Sequence, residues 1–354
     1  MRSLIALLTV SYSVSGFAWG ERGHHLICEV ATRLVQEKGL VSFMQRRGDM
    51  MGHVCNIPDI QWKSLGPIAK SGDAAHFMDP EHLDFAIANV PVSFAAIVKD
   101  SGKSGPEVAD LLGSLWWRTD QFARRAQTFA RSAKAARPPK GSAEEQDNEQ
   151  PYNLAVYNMT VSMGLMGHFV GDASMPYHNT SDYDGWAKGR GGIHAYYETY
   201  AVNSMDLTLV NDVMVDAKRQ RADKVFPPAN GTTVERMRAL STLSVADMPL
   251  VDAADEIYAP SESGPPKVFA KRPSDEAGAA AFRKIIVPQM ARSALLLAAF
   301  WDDAYRAGGS PALGAYKSYR YPLFTEFVPL DYVGAPNAEG EEEGNVRVLR
   351  SCTH

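Results

Sequence analysis

The sequence predicts an all-α protein, and three observations lead to this fold class. Apolar residues recur with the helical period in several long segments, whereas strand-like alternation is confined to a few short runs. Thr232 followed by Glu235 forms a helix-capping pattern ahead of one such segment. Gly308 and Gly309 follow the most apolar segment, where a helix is expected to end. We therefore expect a single multi-helix domain without internal repeats.

The first 18 residues have the pattern of a secretory signal peptide. Arg2 precedes a short apolar run, and small residues follow around Gly16 and Ala18. Cleavage between Ala18 and Trp19 would leave 354 − 18 = 336 residues and, by removing Arg2, change the net charge from −5 to −6. No later stretch approaches about 18 uninterrupted apolar residues, the length of a membrane span. We expect a secreted or periplasmic monomer without a transmembrane segment.

The predicted helices share apolar residues at helical spacing, as Ile27, Ala31 and Leu34 do in the first. In chain order they are 23–38, 106–133, 152–170, one beginning at Thr232, and 276–307. Two polar stretches, 131–151 and 259–276, are expected to be solvated insertions in a domain over 19–308. A polar tail, 309–354, follows this domain.

Composition limits the classes of function. The chain has no basic block long enough to indicate nucleic-acid binding, although bound metal ions can supply positive charge locally. It has three cysteines, Cys28, Cys55 and Cys352. An oxidising compartment allows one intramolecular disulfide among three possible pairings. The protein is therefore not built on a disulfide framework.

The strongest chemical signal lies between residues 168 and 198. His168 and Asp172 are four residues apart at the end of a predicted helix, as are His194 and Glu198, and His178 follows Pro176 in a predicted turn. Residues at this spacing share one face of a helix, and imidazole with carboxylate is a common ligand pair for zinc. The alternative is two local His–Asp/Glu hydrogen bonds and an unrelated surface histidine. Two such pairs within 31 residues favour a site for several metal ions.

Four weaker candidates lie nearer the N-terminus. A free α-amine at Trp19, with its own carbonyl oxygen, can chelate a metal, and His24 lies at the first turn of a helix. Asp59 follows Pro58, in a predicted turn or helix start. His76 precedes the Asp79-Pro80 turn. Taken singly, each is more simply explained as a chain end, a helix cap or a buried histidine.

Together these residues resemble one family, the zinc-dependent phospholipase C and S1/P1 nuclease superfamily. The shared pattern is an N-terminal Trp19, the pair Gly23-His24, Asp59 near Trp62, the segment "HFMD" from His76, "HFVGDASMPYH" from His168, and His194 with Glu198. It covers residues 19–198. The insertion between His76 and His168 and the C-terminal third are not covered.

The resemblance implies an all-α fold with three zinc ions. The first zinc would be held by Asp59, His76, His168 and Asp172. The second would be held by the amine and carbonyl of Trp19, by His24 and by the other oxygen of Asp172. The third, more open zinc would be held by His178, His194 and Glu198. A hydroxide between two zincs roughly 3.5–4 Å apart would then attack the phosphorus of a phosphate ester.

The substrate is less well determined. The close spacing of Trp19 and His24 resembles the nucleases, whereas Glu198 and the gap from His178 to His194 resemble the phospholipases. We expect phospholipase C-like activity, with transient contact to a membrane surface. The alternatives are a single-strand nuclease or 3′-nucleotidase and a non-catalytic zinc-binding protein. Lys188 and Arg190 can reach a phosphate if their loop faces the site, or are simply solvated.

Overall fold

The computed structural model describes residues 19–224, 226, 230–318 and 320–334, and this part of the chain is helical. It contains no β-strand within these residues, where pairing of extended segments is limited to isolated bridges. The all-α fold class is therefore confirmed. The predicted signal peptide, Cys352 and the tail beyond residue 334 lie outside the described residues.

The helices are connected by loops and short 3-10 turns. They are α1 (Gly20–Thr32), α2 (Lys38–Gln45), α3 (Gly48–Ile60), α4 (Phe94–Ser101), α5 (Gly105–Leu112), α6 (Leu115–Ala135), α7 (Ser142–Gln146), α8 (Pro151–Ser174), α9 (Ile193–Ala195), α10 (Val202–Ser204), α11 (Leu209–Ala222), α12 (Thr233–Ala246), α13 (Met248–Ala254) and α14 (Asp275–Ala307). A π-helical turn, Tyr196–Ala201, joins α9 to α10.

Helix α8 is the centre of the fold. It packs against α1, α3, α6, α12 and α14. Consequently it is buried on nearly every side, as expected of a helix that is apolar all round. Aromatic side chains such as Phe169 on α8 and Phe122 on α6 stack within this core, with ring centroids 5.7 Å apart. The helix that carries His168 and Asp172 is therefore held rigidly.

Two predicted helices are wrong as single elements. The segment 106–133 is divided into α5 and α6 at Gly113, which has φ 78° and makes an isolated bridge to Met78. A β-carbon at Gly113 would lie 2.0 Å from the carbonyl oxygen of Phe77, so only glycine fits there. The segment 23–38 ends earlier, because α1 stops at Thr32 and α2 begins at Lys38.

Other predicted boundaries agree more closely with the structure. The Thr232–Glu235 capping box at the start of α12 is confirmed, with both reciprocal hydrogen bonds present. Helix α14 spans the predicted 276–307 segment and is capped by Ser274. It is long and apolar enough to cross a membrane, but 72% of its apolar window is buried in the protein, as in a core helix.

The two polar insertions differ in structure. The first, 131–151, consists of the end of α6, the short helix α7 and the start of α8. The second forms a hairpin loop, in which isolated bridges pair Ala259 with Lys271 and Glu262 with Val268.

A disulfide joins Cys28 on α1 to Cys55 on α3, with the Cα atoms 6.4 Å apart. This selects one of the three pairings that the sequence left open. Helix α8 passes directly over it, because a β-carbon at Gly167 would lie 2.2 Å from Cys28 Sγ. The bridge therefore ties together two helices that carry predicted ligands, His24 and Asp59, beneath the helix that carries His168.

Candidate metal centre

The eight predicted ligand side chains come from seven elements of the chain, with His194 on α9. His24 lies on α1, Asp59 on α3, His168 and Asp172 on α8, and Glu198 in the π-helical turn after His194. His76 and His178 lie in 3-10 turns, Lys70–His76 and Pro176–Asn179. All of these side chains are buried. The structure places Asp59 in the last turn of α3 with Pro58 inside that helix, not in a turn or at a helix start as the sequence suggested.

The first cluster contains His76, His168 and Asp172, with Asp59 beside them. His76 Nδ1 lies 3.0 Å from His168 Nε2 and 3.1 Å from Asp172 Oδ2. Asp59 Oδ1 is 3.7 Å from His76 Nδ1 and 3.6 Å from His168 Nε2. Two imidazole nitrogens and two carboxylate oxygens therefore converge on one point from three separate elements.

The two oxygens of Asp172 contact different histidines. Oδ2 faces His76, whereas Oδ1 lies 3.2 Å from Nε2 of His24. The ligand atoms of His24, Asp59 and His168 also lie close enough together to hold one metal ion. The two carboxylate oxygens of Asp172 therefore face imidazoles from two different elements of the chain.

A separate cluster contains His178, His194 and Glu198. The two Nε2 atoms are 3.1 Å apart, and Glu198 Oε1 lies 3.0 Å from His194 Nε2. Glu198 Oε2 lies 3.6 Å from His178 Nε2. Glu198 belongs to the π-helical turn, a wide turn that is frequent at functional sites. All three side chains present one ligand atom to a common centre.

Backbone carbonyl groups orient three of the histidines. Nδ1 of His168 lies 2.9 Å from the oxygen of Cys55, Nδ1 of His178 lies 2.6 Å from that of His76, and Nδ1 of His194 lies 2.9 Å from that of Tyr183. An N–H donated at Nδ1 leaves Nε2 as the lone-pair nitrogen, directed into its cluster. This is the arrangement by which proteins orient metal-binding histidines.

Burial keeps most of these imidazoles neutral. It lowers the pKa of His24, His76 and His168 well below the usual value, and it also lowers the pKa of His178. Burial acts in the same direction on His194, but Glu198 outweighs it and raises the pKa of that histidine. Burial and the nearby Asp59 raise the pKa of Asp172 well above its usual range. Neutral imidazoles are the form that binds metals.

The buried polar atoms fit a group of cations. Among the described residues, His24 Nδ1 has no hydrogen-bond partner, and the close contacts of Asp172 Oδ1 with His24 Nε2 and of Glu198 Oε1 with His194 Nε2 lack hydrogen-bond geometry. Buried polar atoms are rarely left unpaired, and crowded carboxylates repel one another unless positive charge lies between them. Three groups of His, Asp and Glu side chains can therefore hold metal ions, with oxygen and nitrogen ligands only.

Trp19 is fully buried beside the clusters. Its indole Nε1 donates to the carbonyl oxygen of Gly171 and to Ser174 Oγ, both at 2.9 Å. Its main-chain nitrogen lies 3.0 Å from Glu198 Oε2. The residue is thus at the site, but the structure places its nitrogen next to the cluster of Glu198, whereas the resemblance grouped it with His24 and Asp172.

Lys188 and Arg190 are both engaged in ion pairs. Lys188 Nζ lies 2.8 Å from Asp252 Oδ2, and Arg190 Nη1 lies 2.9 Å from Asp255 Oδ2. A phosphate could gain these cations only by competing with the two aspartates. Their proposed contact with substrate stays a prediction.

Sequence reasoning missed Lys63 and the role of Gly171. Lys63 Nζ lies 2.6 Å from Asp59 Oδ1, four residues away along the chain. Burial lowers the pKa of Lys63, but Asp59, Asp172 and Glu198 more than compensate and raise it. The i, i+4 spacing was the available signal. A β-carbon at Gly171 would lie 2.6 Å from His24 Nδ1, a contact between helices distant in sequence.

Comparison of the chain with models of protein families, with curated proteins and with solved structures found no match.

Proposed function

We propose that this protein is an exported, zinc-dependent phosphodiester hydrolase with phospholipase C-like activity. The observation that carries the proposal is the position of Asp172, with Oδ1 toward His24 and Oδ2 toward His76. It matches the bridging carboxylate expected from the resemblance to the zinc-dependent phospholipase C and S1/P1 nuclease superfamily. Zinc ions held there would acidify a water molecule and stabilise charge on a phosphoryl group.

The nature of the ligands supports zinc and supports catalysis over a structural role. Structural zinc sites are usually closed and rich in cysteine, whereas catalytic sites leave a coordination position free. Cys28 and Cys55 are joined in a disulfide, so their thiolates are not available. The cluster of His178, His194 and Glu198 offers three ligand atoms, one fewer than a tetrahedral ion needs.

The residues of the chain have separate tasks in this proposal. Asp59 and Asp172 supply negative charge to two neighbouring ions, and the carbonyl bonds to His168, His178 and His194 direct Nε2 inward. His178 and His194 lower the pKa of Glu198 against the opposing effect of burial, so that it stays anionic. Because the ligands are buried on rigid elements, little reorganisation is needed on metal binding.

The test is a side-by-side assay of the processed protein on phosphatidylcholine vesicles, single-stranded DNA and a generic phosphodiester, with zinc measured in the same samples. We expect about three zinc ions per chain and hydrolysis of phosphatidylcholine. Asp172→Asn should abolish turnover and lose at least one zinc. Asp302→Asn is the matched control, since Asp302 is also buried but accepts hydrogen bonds from the main chain at Gln36 and Glu37.

Other results would contradict the proposal in distinct ways. Hydrolysis of single-stranded DNA without hydrolysis of lipid would favour the nuclease alternative. The close spacing of Trp19 and His24 is the sequence feature that supports this alternative. Zinc binding without turnover of any substrate would favour a zinc-binding protein that is not an enzyme. Full zinc content and full activity in Asp172→Asn would refute the bridging role.

A further inference from the structure

A cluster of exposed aromatic and apolar side chains lies on a hairpin formed by residues 258–272. Tyr258 is 65% exposed, Phe269 60% and Val268 43%. Main-chain hydrogen bonds pair Tyr258 with Lys271 and Glu262 with Val268, so these side chains are held on an ordered loop. Such a grouping of large exposed apolar residues marks an interaction surface.

The hairpin is attached to the loop that leads to His194. Ser261 N donates to the carbonyl oxygen of Gly189 at 2.8 Å, and Ala270 N donates to that of Gly191 at 3.1 Å. The guanidinium of Arg272 also donates to the carbonyl oxygen of Gly191. The position of the hairpin is therefore fixed relative to the cluster of His178, His194 and Glu198.

Aromatic residues continue from the hairpin onto this loop. The ring of Phe269 lies 5.2 Å from that of Trp186. Tyr183, which is 50% exposed, has its ring 5.7 Å from His194. Aromatic residues of this loop thus contact the hairpin through Trp186 and the metal centre through Tyr183.

The charges beside these aromatics are mixed, and two exposed lysines are balanced by two exposed acids. Lys267 Nζ lies 5.0 Å above the ring of Trp186, and Lys271 is exposed. Two exposed acids, Glu256 and Glu262, lie on or next to the same hairpin, and Lys188 is neutralised by Asp252. Tyrosine, phenylalanine and lysine together favour the boundary between water and lipid headgroups, where rings insert and ammonium groups contact phosphates.

We propose that the 258–272 hairpin, with Tyr183, docks the protein onto a phospholipid bilayer and brings the metal centre to the lipid phosphate. This inference rests on the proposed phospholipase C-like function and extends it to the surface that meets the substrate. A single-stranded nucleic acid could stack on the same rings. It is disfavoured because binding to a polyanion depends on several uncompensated cations, whereas the two acids offset the charges of Lys267 and Lys271.

The experiment measures vesicle binding and catalysis separately. Zinc-loaded protein is sedimented with phosphatidylcholine vesicles, and hydrolysis is measured on the same vesicles and on a short-chain phosphatidylcholine below its micellar concentration. Phe269→Ala and Tyr258→Ala should each weaken vesicle binding about tenfold, the effect of withdrawing one large apolar side chain from the interface. Hydrolysis of the monomeric substrate should be unchanged.

Phe324→Ala is the matched control, because Phe324 is 75% exposed but lies on the C-terminal segment beside Thr325 and Phe327. Zinc content and circular dichroism verify that each variant is folded. Wild-type vesicle binding in both hairpin variants, or an equal loss in Phe324→Ala, would overturn the docking proposal.

Failure of docking and failure of the proposed function give different results. Hairpin-dependent vesicle binding without hydrolysis of either lipid substrate would refute the function and leave the docking surface standing. Hydrolysis of the lipid substrates, together with normal vesicle binding by the hairpin variants, would refute the docking surface and leave the proposed function standing. Loss of binding to a labelled single-stranded oligonucleotide, with unchanged vesicle binding, would assign the surface to nucleic acid and refute the lipid proposal.

Discussion

Replacing Gly171 by alanine should displace His24 from the metal centre. The new β-carbon would lie 2.6 Å from His24 Nδ1 and 2.7 Å from Cε1, whereas ordinary van der Waals contact begins at 3.4 Å. The ring must therefore move by 3.4 − 2.6, or about 0.8 Å, which exceeds the tolerance of roughly 0.2 Å in metal–ligand distances. We expect a loss of zinc affinity of about 10–100-fold at the position held by His24, by analogy with other disturbances of ligand orientation.

The matched control is Gly164→Ala on the same helix. Its β-carbon would lie 2.5 Å from Val54 Cγ1, a similar overlap two turns from Gly171 and against a side chain that is not a predicted ligand. Both variants should lose about 1–3 kcal/mol of stability through overpacking, partly offset by about 1 kcal/mol of helix propensity. Zinc per chain is measured after dialysis against a graded chelator, and stability by urea unfolding. Unchanged zinc affinity in Gly171→Ala, or an equal loss in Gly164→Ala, would refute the argument.

Three further predictions concern other parts of the site. Glu198→Gln should lower zinc occupancy at the cluster of His178 and His194 alone, as anomalous scattering at the zinc edge would show; unchanged occupancy would exclude Glu198 as a ligand. A Met-Ala extension before Trp19 should suppress hydrolysis at equal total zinc, because a peptide nitrogen is a poor ligand; equal activity would exclude the amine. Burial raises the pKa of Asp79 to about 7 from 3.8, so the native state holds a proton that the unfolded chain releases. The free energy of unfolding should therefore fall as pH rises across that window, by up to about 4 kcal/mol. Urea unfolding of metal-free protein at several pH values should show that Asp79→Asn lacks this decline. An equal decline in Asp79→Asn and wild type would show that Asp79 does not cause it.

The sequence predicted those parts of the site that depend on local geometry. His194 and Glu198 meet because residues four apart share a helix face, and His168 and Asp172 follow the same rule. The sequence did not predict contacts between helices that are distant along the chain. The helix predicted over 152–170 continues to Ser174 as α8, and Gly171 within it leaves room for His24. The division at Gly113 depends on the approach of Phe77, which no local pattern reports.

The environment of Trp19 explains why a tryptophan stands at this position when its proposed ligand is a main-chain atom. The indole is fully buried and donates to Gly171 and Ser174 on α8, so the ring anchors the residue to the helix that carries Asp172. The backbone then adopts φ 47°, a left-handed conformation that costs a tryptophan about 1–2 kcal/mol. That conformation accompanies a main-chain nitrogen 3.0 Å from Glu198 Oε2. The buried indole and the left-handed backbone together hold the main-chain nitrogen of Trp19 beside the cluster of Glu198. Loss of the indole, as in Trp19→Ala, should therefore lower zinc affinity although no ligand atom is removed.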